Sequence, residues 1–156
     1  MRVIILLITS LALAWAAPAQ AFFGLAGNAK TVTARDGQIT LDASSLDKGQ
    51  ARHYRYQEGN TEVRFFLVRD NQGTVRVALD ACEVCWHADK GYTLRDGVMV
   101  CVNCGQRFPL SRIGMTRGGC NPHPVAFDNN NDTLHISSRE LLDGAHYFSK
   151  NKPGTK

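Results

Sequence analysis

Apolar and polar residues alternate in short runs from Gln38 onward. Gln38–Ala43 carries Ile39 and Leu41 on one face, the period of two that predicts a strand. Ser44–Gln50 reads as a turn or a single helical turn. Ala51–Gln57 predicts a second strand, with Tyr54 and Tyr56 on one side and His53 and Arg55 on the other. After a tight turn at Glu58-Gly59-Asn60, Thr61–Arg69 places Val63, Phe65 and Leu67 on a common face. Asp70-Asn71-Gln72-Gly73 is a hairpin turn, because Asn and Gly tolerate positive φ. Thr74–Leu79 returns beside it, with Val75, Val77 and Leu79 inward. Gly91–Leu94 is a short strand or turn. Arg95-Asp96-Gly97 turns the chain into Val98-Met99-Val100, and Pro109–Ile113 reads as a further turn. Asp132–Ser137 is a last strand bearing Leu134 and Ile136. Ser138–Leu142 predicts a short helix, capped by Ser137 or Ser138 and stopped at Gly144. The pattern describes a small, mainly β domain with a short C-terminal helix.

The N-terminus follows another rule. Val3–Ala17 is apolar apart from Thr9 and Ser10, Arg2 supplies a positive charge, and Ala19-Gln20-Ala21 is a small-x-small cleavage site. Residues 1–21 therefore read as a secretory signal peptide. The apolar run is short for a membrane span, and an uncleaved anchor is the alternative reading. Residues 22–156 are expected to form one domain, with 22–36 and 150–156 flexible. Export leads to a periplasmic or secreted location, where bare thiols tend to pair. A formal charge of +4 is too mild to call for a nucleic-acid partner. No nucleophile–base pair, phosphate loop or paired carboxylate suggests a hydrolase or transferase, and no small-molecule substrate is indicated.

The chemistry lies in the cysteines. All five fall between Cys82 and Cys120. Cys82-Glu83-Val84-Cys85 and Cys101-Val102-Asn103-Cys104 are two Cys-x-x-Cys pairs separated by fifteen residues, a metal-ligand spacing. Each pair sits in a loop at a strand end, so two hairpin-borne loops can place four thiolates on one centre. Gly105 permits a positive φ that turns backbone N–H groups toward sulfur. Gly118-Gly119-Cys120-Asn121-Pro122 forms a third loop able to fold over the site. Cys120 is a candidate fifth ligand, and His123 follows close behind.

Spacing leaves several occupants open. A closed four-cysteine shell is a zinc-ribbon pattern, and zinc needs no assembly machinery. The same four sulfurs suit an iron–sulfur cluster or iron. A third reading makes Cys82–Cys85 and Cys101–Cys104 two disulfides, with Cys120 free. A thioredoxin-type site is disfavoured because neither pair opens a clear helix. Attached haem is disfavoured because His87 stands one place too late after Cys85. Trp86 is placed to cover the site. Arg107, Arg112 and Arg117 are placed to offset a cluster's negative charge, with a solvated loop face as the default. His53, His135 and His146 read as surface or satisfied side chains, and Met99 as packing.

The run Asp80-Ala81-Cys82-Glu83-Val84-Cys85, then Lys90-Gly91-Tyr92, then Val100 to Pro109, then Gly118-Gly119-Cys120-Asn121-Pro122 resembles a bacterial family described as FtrD-like membrane iron–sulfur proteins. Arg64–Asp70 and Val75–Ala78 look like the same family, and the likeness runs from about Tyr54 to Val125. It implies a role in high-affinity iron uptake, beside an inner-membrane iron permease and periplasmic metal-binding proteins. It carries the family's metal-site cysteines to Cys82, Cys85, Cys101 and Cys104, with Cys120 as a candidate fifth. A looser likeness is to the Rieske fold, whose two hairpin loops bear Cys-x-His and Cys-x-x-His. Cys82 and Cys101 match its cysteines, Cys104 stands in place of its second histidine, and Cys85 lies one residue past its first. The resulting expectation is a Rieske-like or ribbon-like periplasmic iron–sulfur or iron-binding protein. It would transfer electrons to a periplasmic partner or act as an accessory in iron uptake. The alternative is a non-redox module holding structural zinc, or copper, in a four-cysteine site.

Overall fold

The computed structural model describes residues 29–149. The segment read as a signal peptide, the start of the expected N-terminal arm and the tail from Lys150 lie outside the described residues. In chain order the strands are β1 (Lys30–Val32), β2 (Gln38–Asp42), β3 (Gln50–Glu58), β4 (Thr61–Arg69) and β5 (Val75–Leu79). They continue with β6 (Tyr92–Arg95), β7 (Val98–Cys101), β8 (Arg107–Pro109), β9 (Asp128–Asn130) and β10 (Thr133–Ser137), followed by helix α1 (Ser138–Leu142). Among the described residues the fold is mainly β with one short α-helix, as the sequence pattern predicts.

The strands form three sheets, ordered β1-β3-β4-β5, β2-β10-β9 and β6-β7-β8. The long hairpin β3–β4 is the backbone of the molecule, antiparallel from Gln50 opposite Arg69 to Glu58 opposite Thr61. Both faces of β4 are buried. Val63, Phe65 and Leu67 face a core shared with Ile39, Leu41, Leu134, Ile136 and Leu141. Phe66 and Val68 face a second core that holds Met99, Phe108, Ile113 and three of the cysteines. The central sheet is thus a wall between two interiors, and a continuous apolar run such as Phe65-Phe66-Leu67-Val68 is what a strand buried on both sides requires.

The β4–β5 turn is held by a buried carboxylate. Asp70 Oδ1 accepts from the backbone N–H of Gln72 (3.1 Å) and Thr74 (2.8 Å), and Oδ2 accepts from Arg76 Nε at 3.1 Å. Arg69 donates to the carbonyls of Leu46, Ala43 and Gly73, fastening the turn after β2 to the same corner. At the C-terminal end, the Ser137 hydroxyl accepts from Arg139 N–H at 3.3 Å and caps α1. Gly144 closes that helix against Leu79, and a 3-10 turn over Ala145–Phe148 delivers Tyr147 to the core.

Strands β1, β8 and β9 are not announced by the apolar pattern. Residues 30–32 fall in the segment expected to be flexible, yet they pair in parallel with β3, Lys30 opposite Tyr54 and Val32 opposite Tyr56. Three residues are too few to display a period, and the neighbouring longer strand supplies the hydrogen-bonding template.

Candidate metal centre

Three loops converge beside the second core. The first connects β5 in the central sheet to β6 in the third sheet, and it carries Cys82 and Cys85. Within it, Cys85 N–H donates to Cys82 Sγ at 3.3 Å and Trp86 N–H donates to the Cys82 carbonyl at 3.2 Å. These bonds wrap the pair into a turn that continues as a 3-10 segment over Trp86–Ala88. The second loop closes the β7–β8 hairpin and carries Cys101 and Cys104. Gly105 takes φ +76°, and its N–H returns to the Cys101 carbonyl at 2.9 Å. That turn aims the N–H groups of Cys104 and Asn103 at the Cys101 sulfur and the N–H of Gln106 at the Cys104 sulfur. Backbone amides directed at sulfur are the usual support for a thiolate ligand.

The third loop is tied across the first. Leu79 N–H donates to the His123 carbonyl (2.8 Å) and His123 N–H to the Ala81 carbonyl (3.1 Å). The Tyr92 hydroxyl donates to the Cys120 carbonyl at 2.6 Å, so a β6 side chain fixes the loop that presents Cys120. Asp80 joins the other two. Its Oδ1 accepts from Tyr92 N–H at 2.6 Å, while Val102 N–H donates to the Gly91 carbonyl at 2.9 Å. Gly91, at φ +62°, makes room for this: a Cβ there would stand 2.4 Å from Asp80 Oδ1.

The five sulfurs gather in one cluster. Those of Cys82, Cys85 and Cys120 lie within 4.8 Å of one another, as do those of Cys85, Cys101 and Cys104. Cys120 Sγ is 4.0 Å from Cys85 Sγ and 3.7 Å from Cys104 Sγ. None is in a disulfide. Cys82, Cys85 and Cys101 are buried, Cys120 is half-buried and Cys104 is exposed. Beside the inner sulfurs, a cavity of about 10 Å³ is lined by Cys82, Cys85, Cys101, Tyr92, Trp86 and Asp80.

Burial pushes the Cys101 thiol up to about 12, against the pull of the Cys104 and Asn103 amides. Burial and the neighbouring Cys104 and Cys85 sulfurs push Cys120 up to about 12 as well. The Gln106 amide holds Cys104 below the ordinary thiol value. Burial raises Tyr92 strongly, with the Cys82 sulfur adding to it.

The donor set fits a thiophilic metal. Tetrahedral bonds of about 2.3 Å set neighbouring sulfurs about 3.8 Å apart, which the 3.7 and 4.0 Å separations approach. The structure brings together all five cysteines expected there, and it sets the histidines aside. His123 Nε2 faces the Arg117 guanidinium at 3.2 Å and its Nδ1 faces the Tyr147 hydroxyl at 3.3 Å. Since arginine only donates, Nε2 accepts and Nδ1 carries the proton. Burial, with Arg117 beside it, keeps this imidazole below its ordinary value. His87 is exposed and meets the Trp86 ring edge-on. Trp86 lines the cavity, as its position beside Cys85 suggested. Arg107 pairs with Asp96 on an exposed hairpin and Arg117 with His123. Tyr147 has no place in the sequence reading, and Asp80 and Tyr92 enter it only as motif residues, without a role at the site. Only the adjacency of Asp80 to the first pair hinted at its part.

Fold and site define a small β protein whose second core opens into a cluster of five cysteines that could hold a metal ion. Residues 31–148 match the family model described as "Membrane iron-sulfur containing protein FtrD-like". The chain belongs to that family. No curated protein and no solved structure matches it. Among the described residues, no helix is long and apolar enough to cross a membrane.

Proposed function

We propose that this chain is a periplasmic iron-binding protein that serves iron uptake, as an electron carrier or as an accessory to an inner-membrane iron permease. Residues 1–21 are its export signal, and residues 22–156 form its single domain. Cys82, Cys85, Cys101 and Cys104 are the ligands, with Cys120 as the fifth. The reading is carried by one observation: five free thiols from three separate loops meet in one cluster. The family description adds iron and sulfur to it. Iron held by thiolates supplies a one-electron couple. The chain's own part is to position the sulfurs, with Asp80 and Tyr92 tying the loops and Trp86 limiting water on the inner side. Cys104, exposed at the rim, is where a redox partner would approach.

Metal analysis and an absorption spectrum of protein recovered from the periplasm test this. Iron with a visible chromophore that bleaches with dithionite is expected, and Cys101→Ser should abolish metal retention. An unchanged metal content in that variant would contradict the ligand assignment. The second reading is structural zinc, which a shell of four thiolates suits equally. A colourless protein with tightly held zinc would establish that reading instead.

A further inference from the structure

The five thiols differ in what can reach them. Cys82, Cys85 and Cys101 are buried and form part of the second core. Cys104 is exposed, Cys120 is half-buried, and the two stand at the rim. Their sulfurs are 3.7 Å apart, although they come from different loops and lie 16 residues apart in the chain. Both loops are thinly packed beside their cysteine: a Cβ added at Gly105 or at Gly119 would meet nothing within 4 Å. A disulfide holds its sulfurs at about 2.0 Å, so the rim pair has to close by less than about 2 Å. Side-chain rotation with a small loop shift supplies that. The inner sulfurs are placed differently. Cys85 lies 4.0 Å from Cys120 but is buried, and backbone amides occupy the sulfurs of Cys82 and Cys101. An oxidant meets the rim before it meets any of them.

We infer that Cys104 and Cys120 are a redox modification site, at which a small or protein-borne disulfide oxidises the metal-free chain to a Cys104–Cys120 bond that shuts the metal site. The exposed Cys104 thiolate attacks one sulfur of the oxidant's disulfide, forming a mixed disulfide and expelling the other sulfur as a thiolate. The Cys120 thiolate then attacks Cys104 Sγ, and the remaining half of the oxidant leaves as a second thiolate. The chain gives up two electrons and two thiol protons, and the oxidant takes up both and ends as two thiols. Three ligand thiols are then left, Cys82, Cys85 and Cys101, one short of a four-sulfur shell. A bound ion acts in the opposite sense, since it holds the rim sulfurs as ligands and keeps them from the oxidant. The shutting of the site rests on the ligand reading proposed above; the bond itself does not.

The two parts are tested separately. The reduced, metal-free chain is treated with oxidised glutathione, alkylated, and mapped by peptide mass spectrometry without reduction. A Cys104–Cys120 crosslink is expected, with Cys82, Cys85 and Cys101 recovered as alkylated thiols after unfolding. Cys120→Ser should stop the reaction at a glutathione adduct on Cys104. Zinc uptake is then compared between the crosslinked and the reduced wild-type chains. The crosslinked chain should fail to retain zinc, and dithiothreitol should restore retention. Any other pairing as the main product, or no intramolecular bond at all, overturns the modification site. Equal zinc retention by the crosslinked chain overturns the shutting of the metal site. A reduced chain that takes up neither zinc nor ferrous iron, yet still forms the crosslink, overturns the ligand reading and leaves the disulfide standing.

Discussion

Two sulfurs 3.7 Å apart differ sharply in acidity. Cys104 is exposed, and the Gln106 amide holds its thiol below the ordinary 9.0. Cys120 and Cys101 are pushed up to about 12 by burial. In metal-free protein, Cys104 therefore becomes thiolate at lower pH than Cys101 or Cys120, and thiolate is the reacting form. Limited treatment with iodoacetamide, read by peptide mass mapping, should label Cys104 ahead of the other four. Its rate should rise with pH before that of Cys120 does. Preferential labelling of Cys120 would contradict the assignment of acidities. Metal loading has the matching sign: Cys101 and Cys120 enter it protonated, so uptake releases protons and apparent affinity rises with pH.

At the level of elements, the β4–β5 hairpin decides where the first cysteine pair lands, and Asp70 is its internal brace. Burial pushes the Asp70 carboxyl up, but the Thr74 amide, the Arg76 guanidinium and the Gln72 amide together outweigh it and hold the group below 3.8. Its stabilising effect is complete above the unfolded value and is lost as pH falls through the lower folded value. Asp70→Asn leaves Arg76 without its carboxylate. It should cost about 1.5–3 kcal/mol in urea unfolding at neutral pH, and the gap to wild type should narrow toward pH 3. An equal gap at both pH values would show that the charge plays no part. The exposed Arg107–Asp96 pair is a weaker element, within about 1 kcal/mol by the usual measure of surface ion pairs. The long strands and α1 were legible because alternation and capping are local signals. The second buried face of β4 was present in Phe66 and Val68 but passed over, since Val63, Phe65 and Leu67 already explained one face. Strand β9, Asp128-Asn129-Asn130, has no apolar residue to reveal it and exists by pairing with β10. At the site, spacing announced the four paired cysteines. The central place of Cys85 and the Asp80 and Tyr92 ties arise from three loops meeting, which no local pattern encodes.

Across the whole molecule the two interiors are unequal partners. The first is built of large apolar side chains from the central sheet, β2, β10 and α1. The second includes Cys82, Cys85 and Cys101 in its wall. A metal that binds only the folded state adds to stability by mass action, about 2.7 kcal/mol when its concentration is a hundredfold above Kd. Chelation should therefore lower Tm by several degrees and raise amide exchange in residues 82–120, while Leu134 and Ile136 stay protected. Uniform exchange throughout the chain would show that the site is not a separable unit. One neighbour of the sulfurs makes such changes visible without any label. The chain has two tryptophans, Trp15 and Trp86, and the first lies in the segment proposed as an export signal. In protein lacking residues 1–21, tryptophan emission comes from one indole, set in the cavity wall beside Cys82 and Cys85. A heavy or paramagnetic ion at that distance quenches it, so the molecule carries its own optical gauge of occupancy.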